Sequence, residues 1–128
     1  MLNRSGVVKT TYAATKQILA NVGLQSSVGC IVPQSLGVSV GSKKIAKAGT
    51  PIKIELMNLQ TPAVKADGTT ALNAVLLHDV DVTDGNANGT ALIFGFVNVN
   101  RVDSDVVTAI TTAMTASGAS EKITFIKA

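Results

Sequence analysis

The chain has 128 residues, 46% of them hydrophobic, and carries 11 Lys and Arg against 8 Asp and Glu. That length supports one ordinary core and is short for two, so a single domain with extensions is expected. The lone cysteine, Cys30, excludes an intrachain disulfide and a cysteine-cluster metal site, and no apolar run approaches the ~20 residues of a membrane helix.

The N-terminus has no secretory h-region, so a protein made in the cytosol is expected. Three Phe, one Tyr and no Trp leave the core to Val, Ile, Leu and Ala. Such a core buries less area per residue, and because buried apolar area stabilises at about 25 cal/mol per Å², oligomerisation or docking on a partner is expected to supply the rest. The setting Val28-Gly29-Cys30-Ile31-Val32 reads Cys30 as a small buried hydrophobe rather than a reactive thiol.

Charge is unevenly placed. Before Glu55 there is no acid, while Arg4, Lys9, Lys16, Lys43, Lys44, Lys47 and Lys53 contribute seven positive charges; from Glu55 onward eight acids face four bases. This polarity suits docking on an acidic surface or head-to-tail contact between copies. The bases are scattered, without an aromatic platform or an arginine-rich segment, which argues against specific nucleic-acid binding.

Residues 1–23 read as an N-terminal arm with a possible short helix, and 24–128 as one β-rich domain. Tyr12, Ile18, Leu19 and Val22 can share a helical stripe, with Gly23 at a C-cap position. Segments 28–32 and 36–40 read as short strands separated by Pro33, and Lys43-Lys44-Ile45-Ala46-Lys47 as a solvated loop or edge. Ile52, Ile54 and Leu56 alternate with Lys53 and Glu55, the period of a half-buried strand. Asp67-Gly68 marks a turn, 74–77 reads as a fully buried strand, and Val80 and Val82 alternate with Asp79 and Asp81.

The cluster Asp84-Gly85-Asn86-Ala87-Asn88-Gly89 separates two apolar runs and predicts a hairpin. A long strand follows over 90–99, with Gly95 as a candidate bulge. Asp103 or Ser104 can cap a helix whose Val106, Val107, Ile110 and Met114 lie on one side, closed by Gly118. Ile123, Phe125 and Ile126 read as a terminal strand.

Little here offers chemistry. His78-Asp79-Val80-Asp81 followed by Asp84 is the one cluster that invites a catalytic or metal reading. On a strand, His78 and Asp79 face opposite sides, and the spacing fails the calcium-loop pattern, so turn and edge polarity is the better reading. Gly37-Val38-Ser39-Val40-Gly41-Ser42-Lys43 lacks the ending of a phosphate loop. No catalytic residues, cofactor or metal site are therefore expected, and the chain reads as a non-enzyme. A carbohydrate-binding module is disfavoured by the shortage of stacking aromatics.

Three segments carry a resemblance: Thr50-Pro51-Ile52 leading a strand, Ala66-Asp67-Gly68-Thr69-Thr70 at a turn, and Asn73-Ala74-Val75-Leu76-Leu77 as a buried strand. Together they resemble the head decoration proteins of tailed bacteriophages, the lambda gpD-like capsid-stabilising group. The resemblance implies a mainly β fold with minor α: a small β-barrel or β-tulip-like body with an N-terminal arm and one C-terminal helix. It also implies a homotrimer on the outer surface of the virion capsid, bridging subunits of the major capsid protein, without a membrane. The arm would make the capsid contact, with Arg4, Lys9, Lys16 and Tyr12 as its candidate residues. Another self-assembling virion component, such as a tail-tube, minor shell or fibre-associated protein, is the alternative.

Overall fold

The structure, a computed structural model, describes residues 17–20, 23, 25–119 and 122–127. Its strands are β1 (Ser26–Val32), β2 (Val38–Val40), β3 (Lys43–Ala46), β4 (Pro51–Lys53), β5 (Val64–Lys65), β6 (Ala74–Leu76), β7 (Val80–Asp81), β8 (Ala87–Asn98) and β9 (Ile123–Ile126). One α-helix, α1 (Ser104–Ala113), and 3-10 turns at Gln34–Leu36 and Val99–Arg101 complete the described elements.

Two sheets form. The larger runs β9-β8-β6-β4-β5, with β1 also paired to β8; the smaller runs β2-β3-β7. Neither closes, which corrects the expected β-barrel or β-tulip-like body to a mixed β/α fold with one helix and two open sheets. The physical reason lies at the ends: β5 is two exposed residues, and among the described residues β9 is paired only along β8, in parallel. Barrel closure would need those edges to pair.

The larger sheet is instead covered on both faces. Val75, Leu92, Val97 and Ile123 pack with Val102, Val106, Ile110 and Ala113 on the helix side. Ala74, Leu76, Ala91 and Ile52 pack with Ala46, Val80, Val82 and Leu36 on the side of the smaller sheet. Successive residues of β6 thus serve different layers, as the two-residue period of a strand requires, and its apolar run is continuous because both faces are dry.

The centre of this arrangement is β8. Antiparallel β1 runs along it from Ala87 to Phe94, β6 pairs with it at Ala91 and Leu92, and β9 pairs with its Gly95–Asn98 end. Leu19 bridges to Val97, with Ala20 N–H donating to the Phe96 carbonyl and Asn98 N–H to that of Ile18. Residues 17–20, with Ile18 and Leu19 buried, are therefore not part of the expected helix over 12–22; the rest of that segment lies outside the described residues.

Several local expectations change. The segment around Lys43-Lys44 is the middle strand of the smaller sheet, neither the loop nor the edge expected. The alternation at 52–56 stops early, because the chain turns where Asn58 N–H donates to the Glu55 carbonyl, leaving Leu56 outside. No hairpin forms at 84–89: β7 pairs with β3 while β8 pairs elsewhere. The bulge falls at Ile93, since Ser27 faces Leu92 and Ser26 faces Phe94.

Helix α1 is rich in Thr and Val, residues of modest helix propensity, so its burial matters. Val106, Ile110 and Ala113 form its buried stripe, while Met114, expected on that side, is exposed. Thr108, Thr111 and Thr112 return their hydroxyls to the carbonyls of Ser104, Val107 and Thr108 on the outer face.

Truncating Leu92, which is fully buried, should cost about 2–5 kcal/mol. Val40→Ala on the exposed β2 edge should change stability by no more than about 0.5 kcal/mol. Urea unfolding checks both, with unchanged slope separating a stability effect from a change in compactness.

Candidate functional site

The candidate contact residues Arg4, Lys9, Tyr12 and Lys16 lie outside the described residues. The other candidate cluster, His78 to Asp84, is brought to one end of the smaller sheet, where most of it is used to hold backbone. Asp79 Oδ1 accepts from Ala48 N–H at 2.7 Å. Asp81 Oδ1 accepts from the hydroxyl and N–H of Thr83, at 2.6 and 2.9 Å, and its carboxylate stands 3.9 Å from Lys43 Nζ.

These bonds to Thr83 hold the Asp81 carboxyl below the usual range. Thr83 in turn accepts from Lys44 N–H, so the cluster ties β7 to β3. His78 is half-buried with Nδ1 unpaired. Among the described residues no three of His, Cys, Asp and Glu converge to hold a metal.

Cys30 is buried, and burial pushes its thiol up, the behaviour of a packing residue. It borders an open groove of about 520 Å³ with Gly29, Ile31, Leu59, Gln60, Asn88 and Gly89. Among the described residues no titratable side chain besides Cys30 lines that groove.

The three segments quoted above for their pattern meet in space. Leu76 N–H donates to the Thr50 carbonyl, Ala66 N–H to that of Pro51, and Asn73 N–H to that of Ile52. Asn73 returns both ends of its amide, accepting from Ile54 N–H and donating to its carbonyl, each at 2.8 Å. Between them, Asp67 Oδ1 accepts from Thr70 N–H at 2.7 Å, Thr69 N–H at 2.8 Å and the Thr69 hydroxyl at 2.9 Å. The Thr70 and Thr69 backbone donors hold the Asp67 carboxyl below its ordinary value, because they stabilise the charged form.

A second polar tie fixes the helix. Lys47 Nζ lies 3.1 Å from Asp103 and 3.2 Å from Asp105. Those hydrogen bonds, Asp103 first, raise the Lys47 pKa. Both acids sit at the α1 N-terminus, where negative charge is favoured by the helix dipole. Asp103 occupies the N-cap position but makes no side-chain capping bond; being partly solvated, the pairs are worth up to about 1 kcal/mol each.

Apolar side chains also reach the surface, a feature that the alternating patterns concealed. Leu56 is 51% exposed, Met57 94% and Phe94 38%. Leu56 and Phe94 border a groove of about 410 Å³ with Ile93, Ser26, Asn73 and Lys122. The sequence clue was Leu56-Met57 followed by Asn58, a turn former that ends the strand just before them.

Comparison with protein-family models, curated proteins and solved structures returned no match.

The depressed Asp67 pKa implies stability that is present above the unfolded carboxyl value, about 3.9, and lost as pH falls through the folded value. Asp67→Ala should therefore lower the urea midpoint near neutrality and reduce its fall on acidification; an acid limb identical to that of the unaltered protein would contradict this. Lys47 has the opposite sign: its contribution is complete below about pH 10.4 and lost as pH rises through its raised folded value. Lys47→Met should flatten the alkaline limb of the same measurement.

Proposed function

We propose that the chain is a non-enzymatic structural protein of a phage virion, docking on the outside of an icosahedral capsid and bridging major capsid subunits. The observation that supports this reading is that, of the three segments that resemble the head decoration proteins, the first is hydrogen-bonded to both of the others. Thr50-Pro51-Ile52 accepts from Ala66, which opens the Asp67-Gly68-Thr69-Thr70 turn, and from Asn73 and Leu76 of the buried strand, so the first segment joins the other two. The barrel that the resemblance implied is no part of this proposal.

In this reading the body is a rigid platform and residues 1–16, with Arg4, Lys9 and Lys16 and no acid, supply the contact with an acidic capsid surface, Tyr12 adding an apolar anchor. Opposite charge steers the encounter and favours one orientation. Each contact is small, but a homotrimer presenting three linked copies gains effective concentration, so weak individual sites give firm occupancy. The exposed Leu56, Met57 and Phe94 provide apolar area for packing within or beside that assembly.

The test is saturable binding to purified empty expanded heads, imaged beside the protein alone. The deletion must stop at Lys16, because Ile18 and Leu19 belong to the core. Removing residues 1–16 should leave the urea midpoint unchanged and lower head occupancy by about tenfold or more, the equivalent of about 1.4 kcal/mol. Undiminished occupancy would remove the arm from the mechanism; tubes formed by the protein alone would favour a tail-tube role instead.

A further inference from the structure

We propose that Asp84 is the position at which this protein ages covalently, isomerising to isoaspartate through the Asp84-Gly85 bond. The chain has three steps in which Asp or Asn precedes Gly: Asp67-Gly68, Asp84-Gly85 and Asn88-Gly89. Only such steps leave the following amide unshielded by a side chain. The fold treats the three very differently.

The chemistry is closed in atoms. The Gly85 amide nitrogen bonds to Asp84 Cγ, and its proton leaves with the carboxyl hydroxyl as water, giving a succinimide ring. Water then adds to one of the two ring carbonyls. Breaking the bond to Cγ restores aspartate; breaking the bond to the original backbone carbonyl leaves isoaspartate, with the main chain running through the β-carbon. The net change is isomerisation, and water is the only co-reactant.

At Asp67 this closure is opposed. Three donors hold Oδ1, so the carboxylate must be released before Cγ can be attacked, and those donors also favour the ionised form that cannot expel water. At Asn88 the backbone is part of the β1–β8 ladder, facing Ile31, with Gly89 facing Cys30. Gly89 is also hemmed in: a Cβ there would stand 2.6 Å from Val32 Cγ2 and 3.1 Å from Val80 Cγ2. The ring can form only after the strand peels away.

Asp84 has neither restraint. It is exposed, and its carboxylate has no hydrogen-bond or ion-pair partner among the described residues. Gly85 adopts φ 141°, and a Cβ on it would meet nothing within 4 Å. Its N–H makes only a long 3.3 Å bond to the Val82 carbonyl. The consequence reaches further than the turn: Gln34 Nε2 donates to the Thr83 carbonyl and Gln34 N–H to Asn86 Oδ1, each at 3.0 Å. An added backbone bond between Thr83 and Asn86 spreads those two anchors and loosens the smaller sheet from the 3-10 turn.

The experiment incubates the full-length protein at physiological temperature and neutral pH, folded and in urea, and locates isoaspartate by electron-transfer fragmentation. In the folded sample, conversion at Asp84 should exceed that at Asp67 and deamidation at Asn88 by at least about tenfold, since the other two must first give up hydrogen bonds. In urea the Asp84 to Asp67 ratio should fall toward one and Asn88 should overtake both. Asp84→Glu, which cannot form the five-membered ring, should abolish the folded-state signal. Conversion at Asp67 or Asn88 as fast as at Asp84 in the folded protein would overturn the proposal, as would a folded sample silent at Asp84 while the urea sample converts.

Discussion

One strand, β8, has to be buried on both faces and paired on both edges, and the rest of the chain is arranged to let that happen. Ala91, Leu92 and Val97 have no exposed surface. At Ala91 and Leu92 the partners are β1 and β6; at Val97 they are β9 and the Leu19 bridge. A strand so placed cannot leave a backbone polar group unpaired without a penalty of about 1–3 kcal/mol for each, which is why even residues 18–20 run beside it. Alternate side chains enter two different cores, so a helix is required on one face and a second sheet on the other. Glycine at position 89 lets Val32 and Val80 pack onto the strand where a Cβ would strike Val32 at 2.6 Å.

Polar side chains then set the layers against one another. Asp67 closes the connection between β5 and β6, Asn73 joins the start of β6 to the end of β4, and Asp81 with Thr83 ties the edge of the smaller sheet to its centre. Lys47 fastens the helix to the loop after β3. These are short-range duties, and with the bond from Ala48 N–H to Asp79 they account for Asp79 and Asp81, which beside His78 otherwise suggest a reactive centre. Leu56, Met57 and Phe94 take no part in these ties and leave apolar surface at the periphery.

Much of this was legible in the residues themselves. The continuous run Ala74-Val75-Leu76 announced a strand dry on both faces, the Val80–Val82 alternation was correct, and the helix and terminal strand fell where Asp103, Val106, Ile110 and Ile123 placed them. Pairing was not legible, because local pattern carries no information on which distant strand supplies the other half of a ladder. The turn-rich segment from Asp84 to Gly89 therefore reads as a hairpin although its flanking strands belong to different sheets. Lys43 and Lys44 read as a solvated loop or edge because a central strand is expected to be apolar, yet in this middle strand Lys43 is exposed and Lys44 only half-buried. The helical stripe through Ile18 and Leu19 lost to tertiary pairing with Val97, a case of context overriding a weak local preference.

Hydrogen exchange resolved by residue tests the role of β8 most directly. If β8 is the element on which both cores depend, the paired amides of Thr90, Ala91, Leu92 and Val97 should exchange only through global unfolding, with an opening free energy equal to that from urea, while Val38, Ser39 and Val40 exchange through local opening. Exchange at Ala91 and Leu92 as fast as at Val38 and Val40 would contradict that account.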